Sequence, residues 1–204
     1  GLRVRLNVNP NRMELMKLKN RLAMARRGHK LLKDKLDALV QDFVKIIREN
    51  RNLRQEVEKE IIKAFEAQNK ASLMLSEQDK ELVTTMTQQK IILDVSTHHI
   101  TGVKVPHFEV HLEGNPYAYG LINTPAELDE AFSSFFRVLP LMIKLADAEK
   151  TIELLAVEIE KTRRRVNALE YVLIPNLEET IKYINFKLDE LARGAITSIM
   201  RIKH

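Results

Sequence analysis

Between Asn11 and Val57 the chain reads NRMELMKLKNRLAMARRGHKLLKDKLDALVQDFVKIIRENRNLRQEV. Within it, Leu15, Leu18, Leu22, Ala25, His29, Leu32, Leu36, Leu39, Phe43, Ile46, Asn50, Leu53 and Val57 follow one another at alternating steps of three and four. Only His29 and Asn50 are polar among these positions. A stripe sustained this long predicts a helix that buries a narrow seam against another helix, as in a coiled coil. Pro10 blocks an earlier start, and Asn11 with Glu14 three residues later predicts an N-cap and its reciprocal partner. At ~1.5 Å per residue, positions 15–57 span about 64 Å.

Working outward, a second stripe runs through Leu141, Leu145, Ala148, Ile152, Leu155, Ile159, Thr162, Val166, Leu169 and Leu173. Leu177 and Ile181 come at two further steps of four before Ile184, Leu188, Leu191 and Ala195 resume the alternation. Successive steps of four form a stutter, which unwinds a left-handed supercoil locally. Pro175 lies inside it and predicts a kink. The two stripes bury each other most simply as an antiparallel pair. The register that aligns their ends places His29 level with Asn176 as a polar seam layer, Arg26 beside Glu179, and Arg163 beside Asp42.

The middle differs in texture. Residues 58–90 continue as helix, acidic and less regular. Residues 91–112 are β-branched and alternating, with Thr101-Gly102 between two halves, and predict a β-hairpin. Gly114-Asn115-Pro116 and Gly120 mark loops. Thr124-Pro125-Ala126-Glu127 predicts a capping box with Pro at the first helical position, and Pro140 predicts a break before the last long helix. The fold class expected is therefore mainly all-α: a long antiparallel two-helix coiled coil with a short β-hairpin and short helices at the bend. Its parts are 1–90 (first helix and continuation), 91–123 (hairpin and loop) and 124–204 (C-terminal helices).

Composition agrees with that class. The 204 residues are 45% hydrophobic but only 5% aromatic, with no Trp, which favours helices over sandwiches or enzyme-like α/β folds. No Cys is present, so disulfides, thiolate metal sites and cysteine nucleophiles are excluded. No apolar run reaches the ~20 residues needed to cross a bilayer, and the start lacks a signal-peptide core. The expectation is a soluble cytoplasmic chain without direct membrane insertion. The net charge of +5 is uneven, with +9 on residues 1–57, −5 on 58–140 and +1 on 141–204.

No catalytic constellation is present. There is no phosphate-cradling loop, nucleophile elbow or His-Glu-x-x-His pair, so neither catalytic residues nor a cofactor are expected. His107, Glu109 and His111 share one face of a predicted strand near His98 and His99. Solvated side chains on a hairpin describe them better than a zinc site. Two basic clusters, Arg26-Arg27 with Lys30 and Arg163-Arg164-Arg165, flank seam positions and can project outward. Their bland reading is a solvated helix face; their functional reading is a surface for acidic groups or phosphates. A nucleic-acid-binding helical hairpin is the alternative, weakened by the lack of interleaved aromatics and separable by its steep salt dependence.

The residues go further than the periodicity. Leu6-Asn7-Val8-Asn9-Pro10, Arg12-Met13-Glu14-Leu15 and Arg26-Arg27-Gly28-His29-Lys30-Leu31-Leu32-Lys33-Asp34-Lys35 resemble the D subunit of V-type and A-type rotary ATPases. Lys161-Thr162-Arg163-Arg164-Arg165-Val166-Asn167-Ala168-Leu169-Glu170-Tyr171, Ile174-Pro175 and Leu177-Glu178-Glu179-Thr180-Ile181 resemble that family's second signature. The blocks come in the family's order; Gly1 to Val4 depart from its pattern, and the middle matches only in layout. The resemblance implies a non-catalytic central-stalk rotor shaft, coupling ATP hydrolysis or synthesis in a catalytic ring to ion transport. It implies as partners the catalytic and nucleotide-binding subunits of the ring, the small F subunit of the central stalk and a membrane-side rotor adaptor. Arg26, Arg27, Lys30, Arg163, Arg164 and Arg165 are then the expected ring contacts, with no nucleic acid bound. The location implied is cytoplasmic, peripheral to the membrane.

Overall fold

A computed structural model describes residues 5–86, 90–114 and 126–203, by their backbone alone at 82–86. The loop signals at 115–120, the Thr124-Pro125 half of the capping box and the divergent residues 1–4 lie outside the described residues. Helix α1 runs over Arg12–Met74, α2 over Glu77–Met86, α3 over Ala126–Ala168 and α4 over Ile174–Ile202. Strands β1, Lys90–Ile100, and β2, Val103–Glu113, form one antiparallel sheet. The chain is all-α with one small hairpin, and its contacts divide it into two compact units, 1–39 with 158–204 and 40–157.

In the first unit, α1 starts where the sequence said it would. The Glu14 N–H donates to Asn11 Oδ1 at 2.8 Å, while the Glu14 carboxylate stands 3.7 Å from Lys17. Leu18, Leu22, Ala25, Leu177 and Ile184 form the buried core, flanked by Leu15, Leu169, Leu173, Ile181 and Leu188. These are seam positions from both stripes, so the seams bury each other. Cross-ties join Arg26 to Glu178, His29 to Glu170 and Lys35 to Glu158. One number rises as the other falls, so the helices are antiparallel. Arg26 thus reaches Glu178 rather than Glu179, and Arg163 bonds Glu160 of its own helix.

One detail of the last helix adds to the expectation and another departs from it. The helix continues through the stutter, as expected, and does so by a π turn at Leu169–Leu173 closed by the Ile174 N–H to the Leu169 carbonyl. A π turn holds one extra residue, which takes up the rotation that consecutive steps of four would add to the seam. It also stands just before Pro175, where the i−4 bond is missing. The predicted seam positions Leu191 and Ala195 are exposed. With α1 starting at Arg12 and Arg26 level with Glu178, α4 continues past the first residue of its partner.

That arrangement leaves room for the segment before α1. Leu6 and Val8 pack on the same core, and the Leu6 N–H donates to Thr180 Oγ1 at 2.8 Å. Thr180 is fully buried, and its hydroxyl donates to the Asn176 carbonyl at 2.7 Å. The Arg5 guanidinium lies 3.8 Å from the centre of the Tyr183 ring. Residues 5–10 therefore double back along α4, a packing that no periodicity announces.

The second unit repeats the pairing logic. Phe43, Ile46, Asn50, Leu53 and Val57 are buried or half-buried, and Arg54 meets Glu149 at 2.7 Å. Ala71 and Leu128 form a second core with Leu75, Ala131 and Phe132 around it. Helix α1 ends at Met74, and Ser76 caps α2 by accepting from the Asp79 N–H at 3.2 Å. Contrary to the predicted break, α3 passes unbroken through Pro140. Pro140 is exposed, so the Phe136 carbonyl that it cannot bond lies on a side open to water. The hairpin has the predicted turn, with Thr101 and Gly102 both at positive φ, 50° and 77°.

Candidate functional site

The six basic residues singled out in the sequence are all exposed. Their seam neighbours explain why: Ala25 and Thr162 are buried and His29 is half-buried, which turns the intervening side chains outward. Three of the six are ion-paired. Arg26 is tied to Glu178 at 2.9 Å, and Arg163 and Arg164 share Glu160 at 2.7 and 3.3 Å. The hydrogen bond from Arg163, reinforced by the charges of Arg163 and Arg164, holds the Glu160 carboxyl below the ordinary glutamate range. Arg165 follows Arg164 in the same exposed turn. These ties are exposed and screened by water, so the guanidinium groups can exchange one carboxylate for another.

His29 lies 3.5 Å from a Glu170 carboxylate oxygen, through an Nε2 that is buried and makes no hydrogen bond among the described residues. Asn176 is half-buried, and its carbonyl is the acceptor for Thr180.

The histidines of the hairpin are arranged differently from the basic clusters. His107 Nδ1 meets Asp147 of α3 at 2.7 Å, and its ring packs edge-on against His98 with centroids 4.6 Å apart. His111 meets Asp94 across the sheet at 2.9 Å. The Thr101 hydroxyl donates to Asp42 of α1. Val105 is buried on the same face as His107. The hairpin therefore turns a histidine-rich, polar face to the helices and is tethered to both. No group of three or more His, Asp or Glu suited to a metal occurs among the described residues.

A second kind of surface escaped the sequence reading. Leu191, Ile196, Ile199, Met200 and Ile202 are exposed on the last turns of α4, with Met13 and Met16 exposed at the start of α1. The signal was available in the offset between the two stripes: a seam that continues after its partner has ended must face something else. Among the described residues no helix is long and apolar enough to cross a membrane.

Antiparallel helices with a hairpin on one unit and basic clusters turned outward define a helical-hairpin protein whose exposed charged faces are open to other chains. The family described as the ATP synthase D subunit matches residues 14–204, and this chain belongs to it. It is 50% identical to the V-type ATP synthase D subunit of Acetivibrio thermocellus, over 97% of this chain and 91% of that protein. The protein of the same description from Thermoanaerobacter sp. is 50% identical, over 97% and 96%. That of Clostridium novyi is 49% identical, over 98% and 94%. The chain is thus one component of a multi-protein ATPase complex of the V type.

Proposed function

We propose that this chain is the central rotor shaft of its ATPase, carrying torque between the catalytic ring and the membrane sector without hydrolysing ATP itself. The observation that carries the reading is the pair of unlike seams, buried against each other, in a chain of the D-subunit family. Two helices bound along a seam resist twisting better than one, and unlike outer faces give the ring a different side at each angle. The exposed apolar end of α4 and the exposed basic clusters are the surfaces a surrounding ring of catalytic and nucleotide-binding subunits would cover. Arg26, Arg27, Lys30, Arg163, Arg164 and Arg165 act as bearing contacts, made and broken in water at low cost. His29 and Asn176 form a polar, register-setting layer beside the π turn. The small F subunit and a membrane-side adaptor bind elsewhere on the shaft, and the hairpin serves as one of these docking elements.

The test is reconstitution. The isolated chain should show no ATPase activity, while its addition to a purified catalytic ring should change the ring's turnover and yield a complex of fixed stoichiometry. Hydrolysis by the chain alone, or a ring indifferent to it, would refute the assignment.

A further inference from the structure

The hairpin is built inside out. The strand register pairs Ile91 with Leu112, Leu93 with Val110 and Val95 with Phe108. Side chains of directly paired residues share a face, so these six make one apolar surface. It is the face opposite His107 and Val105, which turn toward the helices. Ile91, Leu93 and Val95 are all exposed. An apolar face in water on a sheet of only two strands is an incomplete structure, since about three strands are needed for independent stability.

The turn also says which edge is open. A two-residue turn with both central residues at positive φ makes its flanking residues, Ile100 and Val103, a hydrogen-bonded pair. Hydrogen-bonded pairs then fall on the even residues of β1, and the N–H and C=O groups of Ile91, Leu93, Val95, Thr97 and His99 point away from β2. On β2 the outward set is Lys104, Pro106, Phe108, Val110 and Leu112. Pro106 therefore leaves the ladder intact but removes a donor from the middle of the β2 edge, the usual way of blocking an edge. The β1 edge has no such block along its 11 residues.

We infer that the outer edge of β1 accepts an extended segment of another protein in the ATPase complex, which adds a third strand beside Ile91–His99. The inference rests on the reading of the hairpin as a docking element and specifies its chemistry. Main-chain hydrogen bonds to the outward groups supply the pairing, and alternate apolar side chains of the added strand extend the surface made by Leu93 and Val95. His99 and Lys104 are paired and exposed at the turn end of that face. An acidic residue at that end of the added strand complements them.

Amide hydrogen exchange on the full chain, free and within the purified ATPase complex, tests this. The amides of Leu93, Val95 and Thr97 should slow by about tenfold or more on assembly, with those of Phe108 and Val110 unchanged. Val95→Pro, which removes one outward donor as Pro106 does, should abolish the protection while the even-numbered amides stay protected. If that variant loses the hairpin, L93K with V95K keeps every backbone donor and should still weaken the protection. Unprotected odd amides in the complex, equal protection of both edges, or protection that grows with the concentration of the free chain would each overturn strand addition. Deletion of 91–112 separates the two levels: unchanged assembly and coupling refutes the hairpin as a docking element. Altered coupling with unprotected β1 amides refutes the added strand alone.

Discussion

Thr180 shows how much one buried hydroxyl can organise. It accepts from the Leu6 N–H and donates to the Asn176 carbonyl, so neither of its capacities is idle. Replacing it with Val keeps the shape and strips the Leu6 amide of its partner. Leaving a buried donor unmade costs about 1–3 kcal/mol. T180V should therefore melt at a lower temperature, and the Leu6 amide should exchange faster than the helix amides around it; an unchanged Leu6 exchange rate would show that the segment is held by packing alone. Glu160 offers a second check at the same scale. Its folded pKa lies below its unfolded value through the hydrogen bond from Arg163. The stabilisation is thus present above the ordinary glutamate range and disappears as pH falls through the depressed value. R163Q should move the Glu160 titration, followed by carboxyl NMR, upward toward the ordinary range. No movement would assign the depression to Arg164 instead.

Among the elements, α3 carries an interior proline that helix energetics disfavour by about 3 kcal/mol relative to alanine. Pro140 is tolerated because it is exposed. P140A should raise the thermal midpoint without changing helix content by circular dichroism, and a lowered midpoint would mean the proline shapes a required bend. The same comparison shows what a sequence discloses about an element. The α1 stripe from Leu15 to Val57 and the hairpin turn at Thr101-Gly102 were legible because periodicity and positive-φ chemistry are local. Pro140 misled because a proline's cost depends on whether its orphaned carbonyl meets water, which is not written locally. Leu191 and Ala195 misled because a repeat states which face is apolar, not where the partner stops. The π turn left a trace, the run of steps of four, but that trace reads equally as supercoil unwinding. The basic clusters were legible as exposed, whereas the free edge of β1 needed the strand register.

At the scale of the whole molecule, the basic charge of the first 57 residues and the Arg163 to Arg165 cluster belong to the proposed bearing. Reversing Arg163, Arg164 and Arg165 to Glu should weaken assembly with the catalytic ring, more at low ionic strength than at high, because salt screens exposed charges within about 10 Å at 0.1 M. Pull-down of the ring across a salt series measures this. Assembly unchanged at low salt would leave the apolar end of α4, Leu191 to Ile202, as the main contact. A loss of assembly that salt does not modulate would point instead to misfolding, which the melting curve of the free variant distinguishes.

The π turn at Leu169–Leu173 has one more implication, best put as a matter of reading frame. Each residue of an α-helix turns the chain by about 100°, so one residue added or lost rotates everything downstream off its face. The π turn is a place where an extra residue has been accepted and the frame restored, since Leu177, Thr180 and Ile184 are all buried beyond it. Deleting Val172, an exposed residue in that turn, should remove the extra residue and the wide turn together, leaving a regular helix whose downstream frame is kept. Thr180 should still hold the Leu6 amide, so that amide should exchange no faster than before. Deleting the exposed Glu178 instead, beyond the turn, should rotate Thr180 and Ile184 off the seam and free the segment 5–10. A Leu6 amide that exchanges faster in the first variant, or unchanged in the second, would mean that the turn does not act as a frame-keeper.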